Sequence, residues 1–343
     1  MKVIHIESGL GNQMLSYAEY LVIKKLNPED DCYIETVIYE IPECNDVICQ
    51  WNGYELNRIF GIDAANIKDQ FTETQWCEIK NYISKSEFWH DGWRYAPVIT
   101  EAFSRQGLHL NNYIGEEIKY YSQRSNKDKF FDKKIVYDIK RLLRPFYQNK
   151  YRQKFYNENK IFIKTSQDVF AGQNLGLRNY GANIDFVKKE IMAAFKFPAI
   201  TDEKNINISH QIRNCNSVAI HARRGDMLQS NGYCYKYGYF KRATKYIRKR
   251  INDPVFFFFC DTGSIKWCKE NAEIFGLDLS KDKIFFVDWN TGENCYRDMQ
   301  LMSYCKHNII TNSSFGWWGA YFNENPDKIT CSPNVWINTT VQL

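Results

Sequence analysis

The segment HARRGD at residues 221–226 brings two guanidiniums, an imidazole and a carboxylate into six residues. It follows an apolar run, SVAI at residues 217–220, that predicts a β-strand. Arginine carries a permanent, planar charge that suits phosphate, and Asp226, three residues after Arg223, could hold that side chain in one rotamer. The segment therefore predicts an anion site at a strand end. A solvated Arg-Asp turn is the alternative, because surface ion pairs are common and weak.

The N-terminus predicts a strand, a glycine-rich turn and a helix. Apolar residues 1–6 lead into SGLGNQ at residues 8–13, where two glycines let the backbone approach a ligand and a helix N-terminus follows. A dinucleotide fingerprint would require a third glycine at Met14, although Glu35 lies at a tolerable distance for its acidic residue. An NAD(P)-dependent oxidoreductase and a plain strand-helix turn both stay open.

Near the C-terminus a strand again leads into a polar turn and a helix. A helical pattern at residues 298–307 precedes the strand NIIT at 308–311 and then NSSFGWWGA at 312–320. The hydroxyls of Ser313 and Ser314, with backbone N–H groups at a helix start, predict a second anion-binding turn. Trp317 and Trp318 are assigned to the core, where they would hold this turn rigid.

In this order and spacing, GLGNQMLSYA, HARRGD and DMQLMSYCKHNIITNSSFGWWGA resemble the bacterial α1,2-fucosyltransferases. The resemblance spans nearly the whole chain. It implies a GT-B-like α/β fold, in which two Rossmann-like domains face each other across a cleft, and GDP-fucose as the donor substrate. The chain departs from the family pattern at Ser8, where a glycine is usual, and at Gly316, where a serine is usual.

The resemblance also implies residue roles. It places His221 and Asp261 near the guanosine, and Asn12 near the transferred sugar or the acceptor. Capping, strand-end and turn roles are the alternatives for these three residues.

The departing diphosphate needs fixed donors at its β-phosphate, because charge develops there as the bond to the sugar breaks. We predict that Arg223 carries the main interaction, Arg224 supports it and Asp226 orients Arg223. The remaining donor-binding residues share the turn after the last predicted strand: Asn312, Ser313, Ser314 and Phe315. No Asp-x-Asp pair occurs in the sequence, so we expect no metal and no other cofactor.

The predicted reaction moves L-fucose from GDP-β-L-fucose to the 2-hydroxyl of a terminal β-galactoside. A β-linked donor and an α-linked product require inversion by a single displacement with an oxocarbenium-like transition state. Glu7, just ahead of the glycine turn, is the candidate base for the acceptor hydroxyl, although the departing phosphate could take the proton instead. A fucosyltransferase of another linkage and a non-catalytic glycan- or sugar-nucleotide-binding protein remain alternatives.

Length and patterning predict two domains. The chain has 343 residues, more than one core usually serves, and strands alternate with helices as in parallel sheets. A polar stretch at residues 196–207 predicts a linker, which divides the chain into an acceptor-side domain, 1–207, and a donor-binding domain, 208–343. The formal charge of +5 is spread along the chain, which disfavours nucleic acid as a partner.

The sequence predicts a cytoplasmic protein. It contains no apolar run near the roughly 20 residues that span a bilayer, and residues 1–7 form no signal-peptide core. Lipid-linked acceptors would still allow peripheral membrane association. Eleven cysteines without metal-like spacing favour reduced thiols over disulfides or structural zinc. The sequence leaves the oligomeric state unassigned.

Overall fold

The chain divides into two compact units, Met1–Pro198 and Ala199–Gln342. The computed structural model describes residues 1–47, 52–91, 93–113, 166–172, 186–225 and 234–333, and the single positions 135, 136, 139, 142, 143, 184 and 232. The division precedes the predicted boundary at 207/208 because the predicted linker already contains the start of a helix, α7 (Glu203–Arg213). Asn205 of this helix exchanges hydrogen bonds with Asn290, which ties α7 to the second unit.

The first unit contains a four-stranded parallel sheet. Its strands are β1 (Lys2–His5), β2 (Cys32–Glu35), β3 (Asn111–Tyr113) and β4 (Val169–Ala171). Their order is β2-β1-β4-β3, so β1 pairs with β4, which is distant from it along the chain. The strand predicted at 160–165 lies outside the described residues.

Helices cover this sheet. They are α1 (Leu10–Leu26), α2 (Pro42–Val47), α3 (Leu56–Phe60), α4 (Glu73–Ser86), α5 (Tyr95–Arg105) and α6 (Lys188–Ala194). Helix α4 begins with a capping box in which Thr72 and Gln75 satisfy each other's backbone N–H groups, and it buries Trp76 and Ile79 in the core. Of the helix predicted at 130–146, only positions 135, 136, 139, 142 and 143 are described, and these are helical.

The second unit contains a five-stranded parallel sheet. Its strands are β5 (Asn216–Ala222), β6 (Pro254–Cys260), β7 (Ile284–Val287), β8 (His307–Ile309) and β9 (Thr330–Cys331), in the order β7-β6-β5-β8-β9. The strand order reverses between β5 and β8. Two parallel sheets flanked by helices confirm the predicted α/β class, whereas the cleft between the units stays a prediction.

The core of the second unit is built on β6. The apolar run VFFFFC at residues 255–260 predicts a buried strand, and in agreement Phe256, Phe257, Phe258 and Phe259 are fully buried. Burial of each ring stabilises the fold by about 1.5–3 kcal/mol. The surrounding helices are α8 (Tyr239–Arg248), α9 (Ile265–Glu270), α10 (Tyr296–Tyr304) and α11 (Ser314–Tyr321). Helix α9 is shorter than predicted, because a 3-10 turn (Ala272–Phe275) follows it and ends at Gly276 in the left-handed conformation.

No helix within the described part of the chain has the length and apolar character needed to cross a bilayer.

Candidate functional site

The polar segments after β5 and β8 lie at the carboxyl edge of the second sheet, where the strand order reverses. Ile220 pairs with Ile309, so the residues that follow the two strands emerge side by side. In agreement, the rings of His221 and Phe315 stack with centroids 5.8 Å apart. Open α/β sheets bind ligands in the crevice at such a reversal. The structure therefore brings together the two anion-binding segments predicted from the sequence.

Asp261 fixes the first arginine of the HARRGD segment. Residue Ala222 at the end of β5 pairs with Cys260 at the end of β6, so Arg223 and Asp261 follow neighbouring strand ends. The Asp261 carboxylate accepts a hydrogen bond from the Arg223 guanidinium through Oδ1. Its Oδ2 accepts the backbone N–H of Arg224 and, at 2.9 Å, that of Gly225. This carboxylate thus orients both the side chain and the turn.

Asp226, which we predicted to orient Arg223, lies outside the described residues. The carboxylate that contacts the Arg223 guanidinium in this structure belongs to Asp261, which follows the neighbouring strand β6. The expected position of Asp261 near the guanosine stays a prediction, and in this structure both of its oxygens accept hydrogen bonds from the arginine turn.

Arg224 lies against aromatic rings. Its guanidinium carbon is 3.2 Å from the centroid of the Trp267 ring and 5.4 Å from that of Tyr235. The Tyr235 hydroxyl donates a hydrogen bond of 2.9 Å to the carbonyl of Arg223. Cation-π contact therefore restrains Arg224 without neutralising its charge, unlike the ion pair of Arg223.

His221 is a neutral imidazole in this site. Burial lowers its pKa to about 4, against the opposing effect of the Asp261 charge. Its Nδ1 is buried without a hydrogen-bond partner among the described residues. A Cβ at Gly316 would lie 2.4 Å from this nitrogen. The glycine that replaces the family serine therefore allows the ring to lie directly against the start of α11.

The turn after β8 leads into a half-buried helix N-terminus. Ser313 has an extended backbone, and its side chain makes no capping hydrogen bond to α11. Ser314 and Phe315 begin the helix, and Asn312 is buried. The hydroxyl of Thr311, also buried, has no hydrogen-bond partner within the described ranges. Together with His221 Nδ1, this is a second unsatisfied polar atom at the reversal, as expected where a ligand supplies partners.

Asp298, in the first turn of α10, is a further candidate site residue, which the sequence analysis did not single out. Its carboxylate accepts a 2.7 Å hydrogen bond from Asn290, yet its side chain stays partly exposed. Burial raises its pKa to about 8, the Asn290 hydrogen bond opposes this rise and the Asp288 charge adds to it. Asp298 is the first residue of the segment that carries the family resemblance, but local sequence pattern gives no sign of the raised pKa.

The residues predicted on the acceptor side lie at the end of β1 in the first unit. Glu7 is buried, with 1% of its surface exposed, and accepts a hydrogen bond from the Trp93 indole. Asn12 is half-buried in the first turn of α1, where its backbone N–H donates to the Gly9 carbonyl. Glu35, which the dinucleotide alternative requires, is fully buried and paired with His5. Because Glu35 is already paired with His5, this structure disfavours its binding to the ribose of a dinucleotide cofactor.

The turn after Glu7 contains Ser8, at the position where the family pattern has glycine. Ser8 has φ +65°, a left-handed conformation that glycine adopts without strain. Its carbonyl accepts hydrogen bonds from Gln13 Nε2 at 2.9 Å and from the Tyr39 hydroxyl at 2.7 Å, and these hold the turn.

Among the described residues, no three His, Cys, Asp or Glu side chains form a group that could hold a metal ion.

Arginines and a helix N-terminus at one edge of a parallel sheet are suited to bind a phosphate-bearing ligand. The family model described as "Glycosyl transferase family 11" matches residues 177–341. This match to a glycosyltransferase family, in the second half of the chain, agrees with the resemblance found in the sequence.

Three proteins of known name are similar in sequence to this chain. An α-1,2-colitosyltransferase of Escherichia coli is 27% identical over 97% of this chain and 91% of its own length. The O-antigen biosynthesis glycosyltransferase WbnK of Escherichia coli is 33% identical over 36% of this chain and 40% of its own. A galactoside α-(1,2)-fucosyltransferase 1 of Saimiri sciureus is 32% identical over 30% of this chain and 28% of its own.

The solved structure of fucosyltransferase NodZ from Bradyrhizobium is a distant similarity. It has a TM-score of 0.44 and 9% identity, and the match covers 93% of this chain and 91% of the other.

Proposed function

We propose that this glycosyltransferase moves L-fucose from GDP-β-L-fucose to the 2-hydroxyl of a terminal β-galactoside, with inversion at the anomeric carbon. The main support for this proposal is the pair Arg223 and Arg224. Asp261 and Trp267 hold the two arginines at the reversal of strand order, beside the N-terminus of α11. The similar proteins include α-1,2-fucosyltransferases and an α-1,2-colitosyltransferase, which supports this linkage.

The arginine pair supplies the charge that the departing GDP requires. Arg223 has 27% of its side chain exposed, so its guanidinium can contact a ligand while Asp261 holds it. Arg224 supports it, and the N–H groups and hydroxyls of Ser313, Ser314 and Phe315 complete the contact with the phosphates. Fixed donors of this kind stabilise the leaving group without reorganisation. We therefore propose that transfer needs no metal ion, so that EDTA leaves the rate unchanged.

Asp298 is suited to select guanine. The base carries adjacent N1–H and N2–H donors on one edge, which a carboxylate can accept in parallel. Burial has raised the pKa of Asp298 because its charged form has lost contact with water. Two N–H donors from the base would replace that water and stabilise the carboxylate, which favours binding. His221, close to the same strand ends, would lie against the guanosine.

The colitosyltransferase relative supports a second donor of the same class. Because that relative covers nearly the whole chain, GDP-colitose is an alternative donor that competition with GDP-fucose would distinguish. An acceptor panel of β-galactosides, with the product linkage mapped, tests the rest of the proposal.

The decisive variant is Arg223→Ala. We expect transfer to fall by at least about 100-fold, since removal of one charged donor to a developing charge has this size. Arg248→Ala is the matched control, because Arg248 in α8 also pairs with a carboxylate, that of Asp282, at 2.6 Å, away from the strand reversal. Near-normal turnover of the Arg223 variant would refute the proposal.

Nucleotide binding separates the remaining alternatives. For a transferase that uses a GDP-sugar, we expect GDP to raise the melting temperature and NADH to leave it unchanged. For an oxidoreductase, NADH should raise the melting temperature and GDP should not. GDP binding without turnover on any β-galactoside would instead support a sugar-nucleotide-binding protein.

A further inference from the structure

Glu7 lies in an arrangement that leaves one carboxylate oxygen available. Both of its contacts are made by Oε2, which accepts the indole N–H of Trp93 and lies 3.7 Å from His5 Nε2. No hydrogen bond within the described residues involves Oε1. Glu7 also follows β1, a central strand of the first parallel sheet, and open parallel sheets bind ligands outside the carboxyl ends of their strands.

His5 is held as a positive charge beside this carboxylate. Its Nδ1 contacts Glu35, whose other oxygen accepts the backbone N–H of Val37, and its ring stacks on Tyr95 with centroids 4.2 Å apart. Burial alone would lower the pKa of His5, but the charge and hydrogen bond of Glu35, with those of Glu7, raise it to about 9. The contacts with Glu35 and Tyr95 keep the imidazolium beside Glu7.

The backbone around Glu7 is strained on both sides. Ser8 and Trp93 have φ of +65° and +61°, and they are two of the four non-glycine residues with positive φ among those described. Such conformations cost about 1–3 kcal/mol each and concentrate at functional sites.

We propose that Glu7 is the base that takes the proton of the acceptor hydroxyl, through Oε1, and that His5 is its positioning residue. The inference rests on the proposed function. As the acceptor oxygen forms its bond to the anomeric carbon, the hydroxyl proton moves to Glu7 and the bond from that carbon to the phosphate oxygen breaks. The bonding electrons leave with GDP. Trp93 and His5 keep Oε2 engaged, so that Oε1 faces the incoming hydroxyl.

The first test is Glu7→Gln. We expect kcat to fall by about 100-fold or more, the usual contribution of a positioned base, while the thermal stabilisation by GDP stays that of the wild type. Glu40→Gln is the matched control, because Glu40 also accepts an indole N–H, that of Trp76 at 3.0 Å, and it should keep kcat within about threefold. Wild-type kcat in the Glu7 variant would overturn the inference.

The second test reads the positioning role. His5→Gln removes a positive charge near Glu7, so the acidic limb of the kcat/KM profile should move to higher pH. The other titratable groups that face this pair are Glu35 of β2, Tyr39, Cys44 of α2 and Tyr95 of α5. A purely structural role would lower the melting temperature and leave the limb where it is, which would contradict the inference.

A third variant covers the case in which Glu7→Gln does not fold. Glu7→Asp keeps the charge and withdraws the carboxylate by about one bond, so kcat should fall while KM for GDP-fucose stays near the wild-type value. Unchanged kcat would count against Glu7. The proposed function is judged separately: a loss in Arg223→Ala combined with full activity in the Glu7 variants would retain the transferase and discard the base.

Discussion

Asp261 accepts hydrogen bonds from the Arg223 side chain and from the backbone of the next two residues. Hydrogen bonds to a charged group are worth about 1.5–3 kcal/mol, so the Asp261 carboxylate contributes strongly to the orientation of Arg223. Because that ion pair is only partly exposed, the Arg223 charge is held without being removed from ligand reach.

The variant Asp261→Asn tests this dependence. An amide keeps the size of the side chain but loses its charge, so we expect kcat/KM for the donor to fall by about 10- to 100-fold, measured by initial rates at several GDP-fucose concentrations. Asp282→Asn, which alters the ion pair with Arg248, is the control. Equal kinetics for the two variants would show that Arg223 does not need this partner.

Gly316 determines where His221 lies. In Gly316→Ala the new methyl group meets His221 Nδ1, so either the ring or the start of α11 must move. We expect a loss of about 1–3 kcal/mol in the free energy of unfolding, and weaker GDP binding by calorimetry. Gly263→Ala is less suited as a control because of its positive φ, whereas Gly9 has open space and a negative φ. Gly9→Ala should therefore bind GDP like the wild type, and equal binding by the Gly316 variant would contradict this account of the ring.

At the scale of elements, α9 contributes an aromatic face to the turn after β5. The Trp267 ring on this helix lies against Arg224 and meets Tyr235 edge-on at 5.9 Å. The helix therefore helps to place a charge that belongs to another element.

Trp267→Leu removes this face, and Trp267→Phe keeps part of it. Since a cation-π contact contributes about 0.5–2 kcal/mol, KM for GDP-fucose should rise by about 2- to 30-fold in the leucine variant and less in the phenylalanine variant. Steady-state kinetics with varied donor checks the order. Identical KM values for the leucine variant and the wild type would exclude a contribution of this contact to donor binding.

Local patterns predicted elements better than the contacts between them. The strand at 284–287 and the order of strands and helices after residue 208 follow from apolar runs between polar turns, and the anion-binding segments follow from their charges. The pairing of Arg223 with Asp261 spans 38 positions and that of His5 with Glu35 spans 30. Strand register creates these pairs, and no short window of sequence contains it. The raised pKa of Asp298 has the same origin, because it arises from burial.

At the scale of the whole molecule, stability should fall as the solution becomes alkaline. The pKa of His5 is about 9 in the folded chain and about 6.5 when unfolded, so its contribution is complete below pH 6.5 and is lost as pH rises through 9. A difference of this size corresponds to about 3 kcal/mol. The raised pKa of Asp298 acts in the same direction between pH 4 and 8.

Urea unfolding at pH 6 and pH 9.5, for the wild type and His5→Gln, isolates the His5 contribution. The wild type should lose more free energy of unfolding between the two pH values than the variant, since the Asp298 contribution is common to both. Equal losses would show that His5 has the same pKa in the folded and unfolded chains.

The second unit reverses its strand order between β5 and β8, and the first unit has β1 in the middle of its sheet, between β2 and β4. Under the proposed assignment, every group for the nucleotide comes from residues after 198, and the groups for the hydroxyl come from those before. Changes of acceptor preference can then accumulate in the first unit during evolution, or be introduced by design, while the affinity for the sugar nucleotide is inherited unaltered.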